Sequence, residues 1–276
     1  MLSDLVLTRI REARHAVIFT GAGMSAESGI PTFRDRGTGL WENVDPLEVA
    51  TPEAFQNNPQ RVWDWHVHLA SAVRRAAPNA GHLAIAELQT KIHQVTVVTQ
   101  NIDNLHQNAG SRDVIELHGN LLRLKSFVDE ESAFAEGRSP VICGLCNGYA
   151  VWEDCDPYAD TEDYLALTLQ PGHVPRCPGC GALLRPDVVW FGEPLSPAAL
   201  DAAWTAVEQC DVLICVGTSL EVEPAASLPW RGLSKGAAVI EINPVPTMLS
   251  ARALAYLAGG AAEILPKLLR VAWDEV

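Results

Sequence analysis

Short apolar runs recur along the chain, and each one ends in a small or polar cluster. The runs AVIFT, QVTVVT, VIEL, DVLICV and AVIEI occupy residues 16–20, 94–99, 114–117, 211–216 and 238–242. Their length and their β-branched content are typical of strands buried in a parallel sheet. Because the carboxyl ends of parallel strands meet at one edge of a sheet, the clusters that follow the runs predict ligand-binding loops at that edge.

Helical stretches are predicted between and after these strands, at 80–92, 197–209 and 260–272. Strands that alternate with helices predict the α/β class, with a Rossmann-like parallel sheet and helices on both of its faces. We assign this sheet domain to residues 1–40, 76–119 and 186–276.

Two segments interrupt the alternation. Residues 41–75 mix tryptophans with polar positions, which predicts an inserted helical module. Residues 120–185 show little periodicity and contain two close cysteine pairs, Cys143/Cys146 and Cys177/Cys180. Each CxxC directs two thiolates to one point, and two such pairs supply the tetrahedral set of four sulfurs that Zn²⁺ prefers. We therefore predict a small zinc-binding domain at 120–185, with a structural Zn²⁺ that has no open coordination position.

A glycine-rich turn directly follows the first strand. Gly21 and Gly23 would allow a tight turn and a close approach of the backbone to a pyrophosphate, with Ala22 between them. A plain strand-to-helix turn is the alternative. No acidic residue ends a second strand about 20 positions later, as an ordinary NAD dehydrogenase requires, so that class is disfavoured. The stretch 28–35 is predicted as an extended loop, either a lid over a nucleotide or a surface turn.

Three polar residues follow other strands at the same sheet edge. His118 comes after the third strand and is either a general base or a structural histidine. Asn101 and Asp103 follow the second strand, where they would orient a ribose or a carboxamide, or cap a helix that starts near Leu105.

The net charge and the hydropathy of the chain limit the classes of partner that we expect it to bind. The 276 residues include 20 Lys+Arg and 34 Asp+Glu, a formal net charge of −14. This balance argues against binding to nucleic acid and favours basic partners, such as lysine-rich protein segments. No apolar run is long enough to cross a membrane, and the N-terminus lacks the features of a signal peptide, so we expect a cytoplasmic protein without membrane contact. The sequence leaves the oligomeric state open, a monomer included.

Together these motifs resemble the sirtuin family of NAD-dependent protein deacylases. The resemblance rests on GAGMSAESGIPTFRD (21–35), TQNIDNLHQNAG (99–110), ELHG (116–119), the two CxxC pairs, RPDVVWFGE (185–193), GTSLEVEPAA (217–226) and INP (242–244). These motifs follow the family's order over nearly the whole chain. GLW (39–41) and VATPEAF (49–55) look most like class III, the subgroup that removes succinyl and malonyl groups.

The resemblance implies NAD as cofactor, acylated lysines of proteins or peptides as substrates, and nicotinamide, free lysine and O-acyl-ADP-ribose as products. It implies His118 as the general base, with Asn101 at the reacting centre. The residues that it places around NAD are Gly21, Ala22, Gly23, Ser25, Glu27, Phe33, Arg34, Gln100, Asn101, Ile102, Asp103, Gly217, Thr218, Ser219, Asn243 and Ala261. The residues that it places around the substrate are His66, Leu69, Val188, Val189, Phe191, Gly192, Glu193, Leu220 and Val222.

The chain departs from the class III pattern in two places. Class III carries a Tyr-x-x-Arg pair that binds the carboxylate of the acyl group, and His66 and Leu69 occupy those positions here. Without the arginine the bidentate carboxylate partner is missing, and Leu69 favours an acetyl or a longer apolar acyl chain. Extra residues, including Asp129, also precede Cys143.

Two other functions remain open at the level of sequence. A mono-ADP-ribosyltransferase or NAD hydrolase would use the same cofactor site with a different acceptor. A non-catalytic reader would bind acyl-lysine or ADP-ribose without turnover. His118 and the peptide-binding segments favour deacylation over both.

Overall fold

The computed structural model of the protein describes residues 3–32, 44–127, 171–176 and 181–273. Its strands are β1 (His15–Thr20), β2 (Gln94–Thr99), β3 (Val114–Glu116), β4 (Gly119–Ser126), β5 (Leu184–Val188), β6 (Val212–Val216), β7 (Ala238–Asn243) and β8 (Ala255–Ala258). Its α-helices within these ranges are α1 (Asp4–Glu12), α2 (Pro46–Val49), α3 (Pro52–Asn57), α4 (Pro59–Arg75), α5 (Ala80–Leu88), α6 (Leu105–Asn108), α7 (Pro197–Gln209), α8 (Leu228–Lys235) and α9 (Ala261–Trp273).

The chain divides into two compact units. Unit 1 comprises Met1–Glu42, Ala76–His118 and Pro194–Val276, and unit 2 comprises Asn43–Arg75 and Gly119–Glu193. No helix among the described residues is both long enough and apolar enough to span a bilayer.

Unit 1 is built on a parallel sheet of six strands in the order β3-β2-β1-β6-β7-β8. Strands β1 and β6 are neighbours, and the chain order runs outward in opposite directions from them. This is the doubly wound arrangement predicted from the sequence, and it creates a crevice outside the carboxyl ends of β1 and β6.

Alternate positions along the central strands pack on opposite faces of the sheet. Ile18, Val97 and Ile214 belong to one buried cluster with residues of α1, α5 and α9. On the other face, a Cβ placed on Gly232 of α8 would lie 3.1 Å from Leu213 Cδ2 of β6. Helices therefore cover both faces, which explains why the central strands consist of continuous apolar runs.

Strand β8 was not predicted, because its four residues, AYLA, include no β-branched side chain. It is four residues long, lies at the sheet edge next to β7, and is half-buried to exposed along its length. The predicted helix 80–92 ends earlier, at Leu88, and turns lead from there into β2.

Unit 2 combines helices α2, α3 and α4 with an antiparallel pair, β4 and β5. Trp63 and Val67 of α4 share a small apolar cluster with Leu124 of β4 and Leu184 of β5. The two strands were not predicted, because they lie far apart in sequence and contain Arg, Lys, Asp and Pro. Their pairing is also irregular, with a register shift between Asn120 and Leu124.

Candidate active site

The loops that follow β1 and β6 are joined by backbone hydrogen bonds. Gly21 N–H donates to the carbonyl of Val216 at 3.0 Å, and Gly23 N–H donates to the carbonyl of Gly217 at 2.9 Å. These two amides are thus used within the protein, whereas we had expected them to face a phosphate. Ala22 N–H donates to no described residue.

Gly21, Gly23 and Gly217 make this close approach of the two loops possible. A Cβ on Gly21 would lie 2.8 Å from the carbonyl oxygen of Gly217 and 2.9 Å from Thr218 Cα. A Cβ on Gly217 would lie 2.4 Å from the backbone nitrogen of Met24, and Gly217 has a φ of +59°. Side chains at these positions would push the loops apart, so the glycines fix the width of the crevice at the switch point.

A buried polar network connects the first loop to the loop after β2. Ser25 Oγ donates to Asp103 Oδ2 at 2.6 Å, and Asn101 Nδ2 donates to Ser25 Oγ at 3.1 Å. Asp103 Oδ1 also accepts from Leu105 N–H at 2.9 Å, so Asp103 stabilises the start of α6 as well. Burial raises the pKa of Asp103, and the hydrogen bonds from Ser25 and Leu105 act against that shift.

The loop after β6 is attached to its neighbours on both sides. Gln100 Nε2 donates to Thr218 Oγ1 at 2.9 Å, and Asn243 Nδ2 donates to the carbonyl of Thr218 at 3.4 Å. Thr218 is buried and Ser219 is exposed. The predicted cofactor residues of four strand ends are thus gathered at one edge of the sheet of unit 1.

His118 lies directly after Leu117, whose N–H continues the pairing with Thr99 of β2. Its Nδ1 lies 2.9 Å from the carbonyl oxygen of Gln100. Because a carbonyl only accepts, Nδ1 carries the hydrogen and the lone pair of the neutral ring is on Nε2. Burial lowers the pKa of His118, and the hydrogen bond to Gln100 partly offsets this effect. His118 is therefore a neutral, oriented imidazole at neutral pH.

The remaining predicted cofactor residues of unit 1 differ in exposure. Ile102 is half-buried, and Ala261, the first residue of α9, is buried. Glu27 is exposed, and its Oε2 accepts from Ala262 N–H at 2.6 Å. Glu27 thus satisfies a free amide at the N-terminus of α9, where a carboxylate is electrostatically favoured.

Two of the predicted substrate residues lie on α4 in unit 2. His66 and Leu69 are only 2% and 5% exposed. His66 Nδ1 lies 2.8 Å from the carbonyl oxygen of Val62, and Trp190 Nε1–H donates to His66 Nε2 at 3.1 Å. Both ring nitrogens of His66 are therefore engaged inside unit 2, and burial lowers the pKa of this histidine to about 4.

The predicted peptide-binding segment after β5 is held by a buried arginine. Arg185 forms a two-pronged ion pair with Glu193, with nitrogen–oxygen distances of 2.5 Å and 2.9 Å. The guanidinium carbon of Arg185 lies 3.2 Å from the centroid of the Trp190 ring, and Trp190 N–H donates to Glu193 Oε2 at 2.8 Å. These contacts fix the turn that contains Val189 and Gly192.

The apolar members of the predicted substrate set vary in exposure. In unit 2, Val188 is buried and Phe191 is 48% exposed, with its N–H donating to the carbonyl of Ala50. In unit 1, Leu220 is buried in a left-handed conformation with φ of 57°, and Val222 is 41% exposed.

Sequence reasoning missed two threonines at the site. Thr20 and Thr99 end β1 and β2, are paired in the sheet register, and are hydrogen-bonded through their hydroxyl groups at 2.8 Å. Thr99 Oγ1 also accepts from Asn101 N–H at 3.0 Å. The sequence does contain a signal for them, because the apolar runs 16–20 and 94–99 both end in threonine.

Some predicted residues lie outside the described ranges. They are Phe33, Arg34, Cys143, Cys146, Cys177 and Cys180. Among the residues that are described, no group of three or more His, Cys, Asp and Glu side chains is placed to hold a metal ion. The zinc site therefore stays a prediction.

Comparisons with known proteins agree on one family. The family model described as "Sir2 family" matches residues 21–139 and 143–224. The NAD-dependent protein deacylase of Methylococcus capsulatus is 43% identical over 269 residues, covering 97% of this chain and 96% of the relative. NAD-dependent protein deacylase 1 of Pseudomonas aeruginosa is 44% identical over 268 residues, covering 97% and 98%.

Solved structures show the same similarity. A Sir2 homologue in complex with NAD superposes with a TM-score of 0.79 at 40% identity, covering 99% of this chain and 94% of that one. Sir2Af2 bound to a myristoylated histone peptide superposes with a TM-score of 0.69 at 32% identity, covering 96% and 94%. The family model and the full-length relatives together show that this chain belongs to the Sir2 family.

Proposed function

We propose that the protein is an NAD-dependent protein-lysine deacylase that releases nicotinamide, free lysine and O-acyl-ADP-ribose. The observation that carries the proposal is the orientation of His118 by Gln100, next to the buried network of Ser25, Asn101 and Asp103. Family membership and the names of relatives at above 40% identity support the same activity.

NAD would supply a glycosidic bond that breaks when the neutral nicotinamide leaves. Gln100, Asn101, Ile102 and Asp103 are proposed to hold the ribose and the carboxamide of NAD. The first loop of the crevice fits a bound pyrophosphate, because Ala22 N–H donates to no described residue there and Ser25 is already fixed by Asp103. Gly217, Thr218, Ser219, Asn243 and Ala261 are proposed to contact the adenosine half, with Phe33 and Arg34 on the cofactor-binding loop.

His118 is proposed to act as the general base through Nε2. The hydrogen bond from Nδ1–H to Gln100 holds the ring in the tautomer that leaves Nε2 able to accept a proton. Because its pKa lies below the ordinary value, the ring needs no deprotonation before it acts at neutral pH. The proton that His118 accepts would come from a ribose hydroxyl.

The substrate is proposed to be an acyl-lysine in an extended peptide segment. Residues 188–193 would pair with the peptide backbone as an added strand, and the Arg185–Glu193 ion pair keeps that segment in shape. Leu220 and Val222 are proposed as further peptide contacts. The buried Leu69 and the fully engaged His66 offer no cation to an acidic acyl group, which favours an acetyl or longer apolar chain.

A reaction with NAD and an acetyl-lysine peptide, followed by mass spectrometry, tests the activity. We expect stoichiometric nicotinamide, deacetylated peptide and O-acetyl-ADP-ribose. His118→Ala should abolish product formation and retain NAD binding. ADP-ribose without peptide deacetylation, or ADP-ribosylated protein, would instead indicate an NAD hydrolase or a mono-ADP-ribosyltransferase. Binding without any turnover would indicate a reader.

A further inference from the structure

Two buried histidines of unit 1 have no role in the function proposed above. His82 on α5 and His106 on α6 are 0% and 1% exposed. Their ring centroids lie 4.9 Å apart, and the ring planes meet at 61°. The two rings are therefore neighbours in one buried region of unit 1.

The hydrogen bonds of each ring determine which nitrogen carries its hydrogen. Asn79 N–H donates to His82 Nδ1 at 3.3 Å, so the neutral His82 ring carries its hydrogen on Nε2. The Thr20 hydroxyl donates to Thr99 Oγ1, so its 3.0 Å contact with His106 Nε2 requires the hydrogen to be on His106 Nε2. His106 Nδ1 is therefore a bare acceptor.

The two remaining atoms are complementary. His82 Nε2–H is a donor and His106 Nδ1 is an acceptor, both are buried, and neither has a hydrogen-bond partner among the described residues. A buried polar atom without a hydrogen-bond partner costs free energy. A hydrogen-bonded connection between this donor and this acceptor would remove the cost for both rings. Burial lowers the pKa of His82 to about 4 and that of His106 to about 3, so both rings are neutral at pH 7.

We propose that His82 donates to His106 through one trapped water, and that His106 is a positioning residue for the loop at 100–103. The proposal rests on the proposed function only in naming NAD as the ligand of that loop. His106 touches no reacting group; it acts through Thr20 and Thr99.

One end of this polar chain reaches the Asn101 loop. With the hydrogen on His106 Nε2, this nitrogen donates to the Thr20 hydroxyl, Thr20 donates to Thr99, and Thr99 accepts from Asn101 N–H at 3.0 Å. Asn101 in turn donates to Ser25. Removing the hydrogen on His106 Nε2 would leave the Thr20 oxygen without its donor and loosen the backbone at Asn101.

The other end reaches the loop after β1. Asn79, which caps α5 through its side chain, donates from Nδ2 to the carbonyl of Met24 at 2.9 Å and to Ser28 Oγ at 3.1 Å. A link between His82 and His106 would therefore couple the two loops that are proposed to hold NAD.

Imidazole NMR of the unliganded wild-type protein tests the link without any variant. In ¹⁵N-histidine-labelled protein at pH 7, we expect His82 and His106 both to be neutral with the hydrogen on Nε2. The His82 Nε2–H proton should be protected from exchange with solvent. A hydrogen on His106 Nδ1, or a rapidly exchanging His82 Nε2–H, would overturn the proposal.

Matched variants test the positioning role. His106→Gln keeps a donor at the position of Nε2, and His106→Leu removes it. For His106→Leu we expect the Kd for NAD, measured by calorimetry, and the KM for NAD to rise about tenfold, while the KM for peptide stays unchanged. His106→Gln should stay within about threefold of wild type, as should the exposed-site control His93→Leu.

Equal losses in the Gln and Leu variants, or a lower melting temperature with unchanged NAD binding, would show a purely structural histidine and reject the role. If His106→Leu does not fold, the wild-type NMR result decides. Because calorimetry reads NAD binding without turnover, a missing deacylase activity would refute the proposed function and leave this test intact.

Discussion

The pKa of a single residue, His118, determines how the proposed reaction should depend on pH. Burial lowers this pKa below the ordinary value of 6.5, so the base stays neutral further into acid than an exposed histidine. We therefore expect kcat/KM for the acyl-lysine peptide to decrease towards acid pH with an apparent pKa below 6.5. Initial rates at saturating NAD between pH 5 and pH 8 would measure it. An acid limb above 6.5 would assign the base to another group.

Gly217 is the residue at which backbone conformation and close contact coincide. We expect Gly217→Ala to lower the free energy of unfolding by about 3 kcal/mol or more and to weaken NAD binding, because its Cβ would lie 2.4 Å from Met24 N.

Gly236→Ala is the matched control for this substitution. Gly236 also has a positive φ, of +97°, but in the described part of the chain no atom of another segment lies within 4 Å of its Cβ position. Its cost should be about 1 kcal/mol, the cost of backbone strain alone. Chemical denaturation measures the free energy of unfolding of both variants. If both lose the same amount of stability, the two loops can separate without loss of stability.

Among the elements, we propose that helix α4 selects the acyl group of the substrate. We expect His66→Tyr combined with Leu69→Arg to raise the ratio of kcat/KM for succinyl-lysine over acetyl-lysine by about tenfold, because an arginine can bind a carboxylate through two hydrogen bonds. The variant should also be less stable, since Leu69 is buried and Trp190 would lose its acceptor on His66.

Leu69→Met, which keeps the apolar volume, serves as the control and should leave the ratio unchanged. If the double variant also leaves the ratio unchanged, the acyl group binds away from this face of α4.

At the scale of the whole molecule, buried neutral histidines make stability depend on pH. The pKa is about 4 for His66 and His82 and about 3 for His106, while the unfolded chain titrates near 6.5. Below pH 6.5 the unfolded state therefore binds more protons than the folded state. The free energy of unfolding should fall from pH 6.5 towards pH 4, by at most about 1.4 kcal/mol per pH unit for each histidine.

Urea unfolding at a series of pH values would measure this slope. His66→Gln should make the slope shallower, whereas a change at the exposed His93 should not. A stability that is constant or rises towards acid would contradict the neutral state of these rings.

The predicted zinc site also belongs to the scale of the whole molecule. We expect one zinc ion per chain by elemental analysis, and we expect a strong chelator to lower the melting temperature. Cys143→Ser should lose the metal, and Cys155→Ser, a change outside the two CxxC pairs, should keep it. Full metal retention in Cys143→Ser would remove this residue from the ligand set.

The central strands, and the order of the motifs at their ends, could be predicted from the amino-acid sequence alone. Apolar, β-branched runs are local signals, so β1, β2, β6 and β7 were predicted to within a residue or two of their observed bounds. Asn101, Asp103 and His118 were selected as candidates in the same way, because each follows such a run within four residues.

Which polar atoms contact each other became clear only from the folded structure. The pairing of β4 with β5 joins segments far apart in sequence, and β8 is held at a sheet edge by its neighbour β7. The use of the Gly21 and Gly23 amides by the β6 loop, and the meeting of His82 with His106, likewise arise from contacts between distant segments. The local order of apolar and polar residues indicates which residues of an element are buried. Hydrogen-bond partners in different elements depend on how the elements pack, which the local order does not encode.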